Sequence, residues 1–145
     1  MTPEAFTKFL HDEIPLTAAM QVRVLRSAAG EVEISAPLAP NKNLHGTAFG
    51  GSLVTLGLVS GWAVLDRALH DAKLQAHLVV QKNKCLFHAP VTQELYAIAR
   101  IPAEEWTRFV DALNRKGRAR IDVTTEIHAG DTLAVTHIGT YAAKQ

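Results

Sequence analysis

SLVTLGLVSGWAVLDRALH, residues 52–70, decides the fold. Its spacing predicts a helix that is apolar almost all round: Leu53, Val54, Leu56, Leu58, Val59, Trp62, Ala63, Val64 and Leu65 leave it no polar face. A surface helix keeps one charged side, so this one belongs in an interior. Charge arrives only at Asp66 and Arg67, where the helix has to emerge. The apolar stretch 53–65 contains Thr55, Ser60 and two glycines and falls short of the roughly 20 residues a bilayer span needs. The expectation is therefore a buried core helix and no membrane partner.

Working outward, residues 2–12 read as a short helix. Thr2 caps it, Pro3 takes its first position, Phe6, Phe9 and Leu10 share a face, and Ile14-Pro15 ends it. Residues 20–27 and 31–38 alternate, with Met20, Val22, Val24 and then Val32, Ile34, Ala36 on one side, and the turn Ala28-Ala29-Gly30 joins them into a hairpin. After the apolar helix come four strand-like runs at 76–87, 94–101, 118–128 and 132–142, the last two joined through Ala129-Gly130-Asp131. Between the second and third of these runs, Trp106, Phe109, Val110 and Leu113 recur at helical spacing over 103–116, and Gly117 closes that segment. Two strands cannot cover the apolar helix, but six can, with one sheet face against it. The expected fold class is α+β, a curved antiparallel sheet wrapped around a central apolar helix, with residues 1–145 as one domain.

Bulk properties narrow the function. Fifteen Lys and Arg against 14 Asp and Glu leave a net charge of +1, too little field to recruit nucleic acid. Cys85 is the single cysteine, which excludes an internal disulfide and a cysteine-based zinc cluster; it reads as a small strand hydrophobe rather than a nucleophile. The histidines show no metal spacing, so no metal is expected. The N-terminal segment lacks a basic stretch followed by an apolar core, so it is no signal peptide and a cytoplasmic location is expected.

The loop before the central helix carries the specific signal. NLHGTAFGGSL, residues 43–53, is similar to the Asn-x-x-Gly-x-x-His-Gly-Gly segment of hotdog thioesterases. It resembles still more closely the thioesterase-like family known from the C-terminal domain of YiiD proteins. That family has an Asn, then Gly-Thr-Ala-Phe-Gly-Gly-Ser-Leu, then a Gly-Trp pair on the helix, here Gly61-Trp62. Weaker matches flank it at Ala36-Pro37-Leu38, at Phe87-His88-Ala89-Pro90 and at Lys116-Gly117-Arg118-Ala119-Arg120. In some relatives the domain follows an acetyltransferase domain, for which this chain has no room.

The resemblance implies a hotdog fold acting on an acyl thioester of coenzyme A or of acyl carrier protein, at a site on the interface of a homodimer or a dimer of dimers. It implies no cofactor beyond the coenzyme A that the substrate carries. The chemistry suits the residues. A helix start offers unpaired N–H groups and the positive end of the helix dipole to a developing oxyanion. Gly50 and Gly51, lacking side chains, let a ligand reach their amides, with that of Ser52 beside them. Asn43 stands where relatives orient water or the carbonyl, and its alternative is to hold a loop turn. His45 is a candidate general base, because imidazole accepts protons near neutrality; its alternative is a loop histidine bonded to backbone. Phe49, Ser52, Thr55, Asn83 and His88 are candidate substrate contacts, with His88 or a polar residue near Asn83 as the other source of the base. Ser52 also suits a helix cap, and Thr55 and Ser60 suit back-bonding to their own helix. Lys82, Lys84, Arg115, Lys116 or Arg118 are placed to meet coenzyme A phosphates, or else form a solvated basic face.

One departure matters. Many hotdog thioesterases carry an Asp or Glu two to three turns into the helix, where this chain has Leu56-Gly57-Leu58-Val59. Asp66 lies roughly 22 Å along the helix from Gly51 and is a poor substitute. Three readings follow: thioester hydrolysis, a non-catalytic acyl or coenzyme A binding module, and an acyl-thioester dehydratase or hydratase. The missing carboxylate favours the second and counts against the third.

Overall fold

The computed structural model describes residues 1–145. Helix α1 (Pro3–Glu13) begins as its sequence dictates, with the Thr2 side chain accepting from Ala5 N–H at 3.1 Å and Pro3 in the first turn. α1 ends at Ile14-Pro15, as the sequence reading had it, but a second helix that it did not anticipate follows at once. The chain breaks at Ile14 and Pro15 opens a further short helix, α2 (Pro15–Ala19), because a proline fits a first turn, where its missing N–H is not needed. Val22 N–H then bonds back to the Thr17 carbonyl and Gln21 takes a left-handed conformation, so the first strand starts at Arg23 rather than at residue 20.

Strands β1 (Arg23–Ala28) and β2 (Glu31–Ala36) form the expected hairpin. The long helix α3 (Gly50–Asp71) follows, then β3 (His77–Phe87), β4 (Leu95–Arg100), helix α4 (Ala103–Lys116), β5 (Arg118–Ala129) and β6 (Thr132–Lys144). The six strands make one antiparallel sheet in the order β1-β2-β4-β5-β6-β3. It curves around α3, which touches all six strands. This is the hotdog arrangement. α4 packs on β5 through Phe109 and Leu113, and Gly117, in the left-handed region, ends it.

By length and composition α3 could cross a bilayer. Ten of its residues are buried, Leu53, Leu56, Ala63, Val64 and Leu65 among them, so its apolar surface is spent on the sheet. Where α3 meets β6 it has no room for side chains. A Cβ at Gly57 would stand 2.4 Å from His137 Cγ, and one at Gly61 2.2 Å from the Tyr141 hydroxyl. Tyr141 is buried and donates to the Leu58 carbonyl at 2.8 Å, which pins helix to strand.

His137 is fully buried beside Gly57, and neither ring nitrogen has a hydrogen-bond partner in the protein. Its neighbours across the sheet are Thr125 on β5 and Cys85 on β3. Burial pulls the His137 imidazole down to about 4 and pushes the Cys85 thiol up. The folded chain therefore keeps His137 neutral where the unfolded chain protonates it, near 6.5. Unfolding takes up a proton between those values, so stability falls as pH drops from about 6.5 to about 4, by roughly 3 kcal/mol from this group. Urea unfolding at several pH values checks this: His137→Leu should flatten the wild-type slope in that window, and equal slopes would contradict the assignment.

Candidate active site

The loop from β2 to α3 is tied down before the helix begins. Asn41 is buried, its amide donating to the Met20 and Pro37 carbonyls at 2.9 and 2.8 Å, and its own carbonyl accepting from Phe49 N–H at 2.7 Å. Ala48 N–H bonds to the Val91 carbonyl at 2.8 Å. These bonds fix where α3 starts. Sequence reasoning passed over Asn41; a polar residue two positions before the motif asparagine was the available signal.

Phe49 is the cap residue of α3, and it caps nothing with its side chain. Leu53 N–H closes the first turn on the Phe49 carbonyl at 3.1 Å. The N–H groups of Gly50, Gly51 and Ser52 make no hydrogen bond within the protein. Three donors and the positive end of a 22-residue helix thus point the same way.

The predicted residues divide around this helix start. Gly50 and His88 share a cleft of about 430 Å³ with Leu53, Phe87 and Pro90. Phe49, Gly51, Ser52 and Thr55 line a second cleft of about 320 Å³ on the other side, with Leu16 and Met20. Asn43 and His45 line neither. The Asn43 amide closes its own loop, donating to Thr47 Oγ1 at 2.8 Å and accepting from the N–H groups of His45 and Thr47. His45 is exposed on that loop. Thr55 donates to the Gly51 carbonyl at 2.8 Å, so its hydroxyl proton is committed to its own helix. Asn83 sits exposed on β3 opposite Gly139, on the α3 side of the sheet.

The two glycines have different reasons to be glycine. A Cβ at Gly51 would lie 2.4 Å from the Phe49 ring, which folds over it. A Cβ at Gly50 would make only ordinary contact with Phe87, at 3.9 Å, and Gly50 is helical. Neither packing nor backbone conformation of this chain calls for glycine there.

His88 is held at the end of β3. Its N–H bonds to the Ala134 carbonyl at 2.7 Å and its Nε2 lies 2.9 Å from Thr136 Oγ1. Phe87 and Thr136 were not anticipated, because the β3–β6 register brings them here. No carboxylate joins them. Asp66 lies in the last turns of α3, 3.8 Å from His70, and burial raises its carboxyl above the ordinary value. Of the basic residues set aside for phosphates, Arg115 is tied to Asp111 at 3.0 Å.

Solved structures carry the same architecture. A protein of unknown function from Chlorobaculum tepidum TLS matches with a TM-score of 0.89 at 28% identity, over 99% of this chain and 97% of that one. A putative thioesterase from Shewanella oneidensis gives 0.85 at 26% identity, over 99% and 97%. A thioesterase from Haemophilus influenzae gives 0.77 at 14% identity, over 99% and 90%, a likeness of fold alone. The architecture is that of the hotdog domains found among these thioesterase-named structures. The chain belongs to the family described as "Putative thioesterase (yiiD_Cterm)", which matches residues 3–145.

Proposed function

We propose that the protein hydrolyses an acyl thioester of coenzyme A or acyl carrier protein, with the carbonyl oxygen held by the Gly50, Gly51 and Ser52 amides. The observation that carries this is the start of α3, where three unpartnered N–H groups open at a glycine the chain itself does not require. Donors fixed in advance on a developing oxyanion are worth about 3–4 kcal/mol of barrier each. Water attacks the carbonyl carbon and gives its proton to a histidine. The oxyanion then collapses, the C–S bond breaks, and the leaving thiolate takes that proton. His88 suits the base better than His45, since it lines the Gly50 cleft. With Nε2–H donating to Thr136 Oγ1, its Nδ1 keeps a free lone pair.

The reading includes a second copy of the chain against β3. One edge of the sheet is closed: α1 covers β1, with Val24 N–H donating to Thr7 Oγ1 at 2.9 Å and His11 Nε2 2.7 Å from the Val22 carbonyl. The other edge, β3, has no outer neighbour and exposes Val79, Val80, Leu86 and Phe87. Open apolar edges pair. Phe87 lies both on that edge and in the Gly50 cleft, so a partner there would wall the site.

A panel of acyl-coenzyme A and acyl-N-acetylcysteamine thioesters, read by free-thiol release, tests the proposal. Release is expected from wild type and a large loss from His88→Gln. Val80→Lys should give a monomer by light scattering, with hydrolysis falling alongside. No thiol from any chain length would refute hydrolysis. The absence of a carboxylate at Leu56–Val59, where Gly57 instead backs onto His137, favours a non-catalytic binding module as the second reading. Saturable binding without turnover would select it.

A further inference from the structure

The face of the sheet away from α3 carries a feature that chemistry at Gly50 does not use. Where the C-terminal end of α4 meets the strands lies a cleft of about 720 Å³, within the range of small-molecule sites. His77, Lys116, Arg118, Arg120 and Lys144 stand around it, all exposed, and no carboxylate lines it. Asp122, two residues beyond Arg120, accepts instead from Thr140 and lines a neighbouring groove.

Two observations separate this cluster from a solvated basic face. The first is register. Lys144 lies directly opposite Arg118 on one side and His77 on the other, so basic side chains sit abreast on three adjacent strands. Like charges directly opposite one another destabilise a sheet. The second is convergence. Lys8, Arg26, Arg67, Arg100, Arg108 and Arg115 each meet a carboxylate. Of the Lys and Arg side chains outside any ion pair, Lys116, Arg118, Arg120 and Lys144 line this one cleft, where Arg120 reaches only Gln81, at 3.5 Å. Cations are thus gathered against their own repulsion and left without internal partners.

The floor says what kind of anion fits. Its apolar part is Val79, Ala112 and Ala142, with Val79 and Ala142 paired across β3 and β6. We propose that this cleft binds a purine nucleotide bearing two or more phosphate groups. The phosphates lie on Arg118, Arg120, Lys116 and Lys144, and the base lies on the apolar part of the floor. A concave pocket of this size suits a nucleotide rather than a convex acidic protein surface. The nucleotide has two sources, the nucleotide end of a coenzyme A thioester or a free nucleotide. Only the first rests on the proposed hydrolysis.

Calorimetric titration of the full chain with coenzyme A, adenosine 3′,5′-bisphosphate, ADP and pyrophosphate tests this. Both adenosine nucleotides are expected to bind wild type, and the Arg118→Ser/Arg120→Ser variant to bind them at least about tenfold more weakly. Arg23→Ser, on the far edge of the sheet, should bind as wild type. The double variant should melt no lower than wild type, because it removes a like-charge pair. Acyl-coenzyme A hydrolysis then distinguishes the sources. If the thioester tail occupies the cleft, the double variant raises KM for acyl-coenzyme A at unchanged kcat and leaves the N-acetylcysteamine thioester unaffected. If KM does not move while nucleotide binding is lost, the ligand is a free nucleotide. No saturable nucleotide binding at millimolar concentration, equal affinity in the double variant, or pyrophosphate binding as tightly as the nucleotides would overturn the proposal. Absence of thiol release would end the hydrolysis reading and leave the binding result standing.

Discussion

Gly57→Ala is expected to destabilise the fold by about 2–3 kcal/mol, although alanine is favoured over glycine in a helix by about 1 kcal/mol. The added Cβ would stand 2.4 Å from His137 Cγ and 2.7 Å from His137 Cβ. Rotating the imidazole cannot relieve the second contact, because Cβ is fixed to the β6 backbone. Either α3 lifts from the sheet or β6 gives way. Close-packed interiors resist both, and the Tyr141 hydroxyl bonded to Leu58 holds the next turn in place. The denaturant midpoint should fall with its slope unchanged. A midpoint at or above wild type would contradict the close approach of α3 to β6.

The same substitution two turns earlier should do the reverse. Gly50→Ala is expected to keep stability or raise it by up to about 1 kcal/mol, since its Cβ meets only the Phe87 ring at van der Waals distance. Its methyl enters the cleft shared with His88 and stands beside the donors meant for the carbonyl oxygen. Alanine keeps the N–H, but the methyl holds the carbonyl off it, so thiol release should fall toward the about 10²–10³ in kcat that a lost oxyanion donor costs. A fully active Gly50→Ala enzyme would move the carbonyl away from this helix start. Two glycine-to-alanine changes in one helix thus separate what the fold needs from what the chemistry needs.

Much of this was legible in the sequence for a physical reason. A helix apolar on every side has one place to go, and the alternating residues Val32, Ile34 and Ala36 showed which sheet face would cover it; all three are buried. The helix start was legible because Gly-Gly before an apolar run leaves amides uncovered. Cys85 reads as a half-buried strand residue whose thiol burial holds in its neutral form. What escaped depends on pairing between distant segments. Local pattern cannot place Phe87 opposite Val135, His88 against Thr136, or His137 under Gly57, because strand register decides each. The short helix α2 escaped because Pro15 looks like a terminator until the Val22–Thr17 bond folds the chain back. For Asn43 the sequence left two roles open, orienting substrate or water and holding a loop turn, and its amide is bonded within its own loop.

The most direct test is a crystal structure with an acyl-coenzyme A ketone, a methylene replacing the thioester sulfur so that nothing can be cleaved. The ketone oxygen should lie about 3 Å from the N–H groups of Gly50, Gly51 or Ser52, with His88 facing the carbonyl carbon. A ketone bound elsewhere, with the first turn of α3 covered by side chains of either copy, would contradict the assignment.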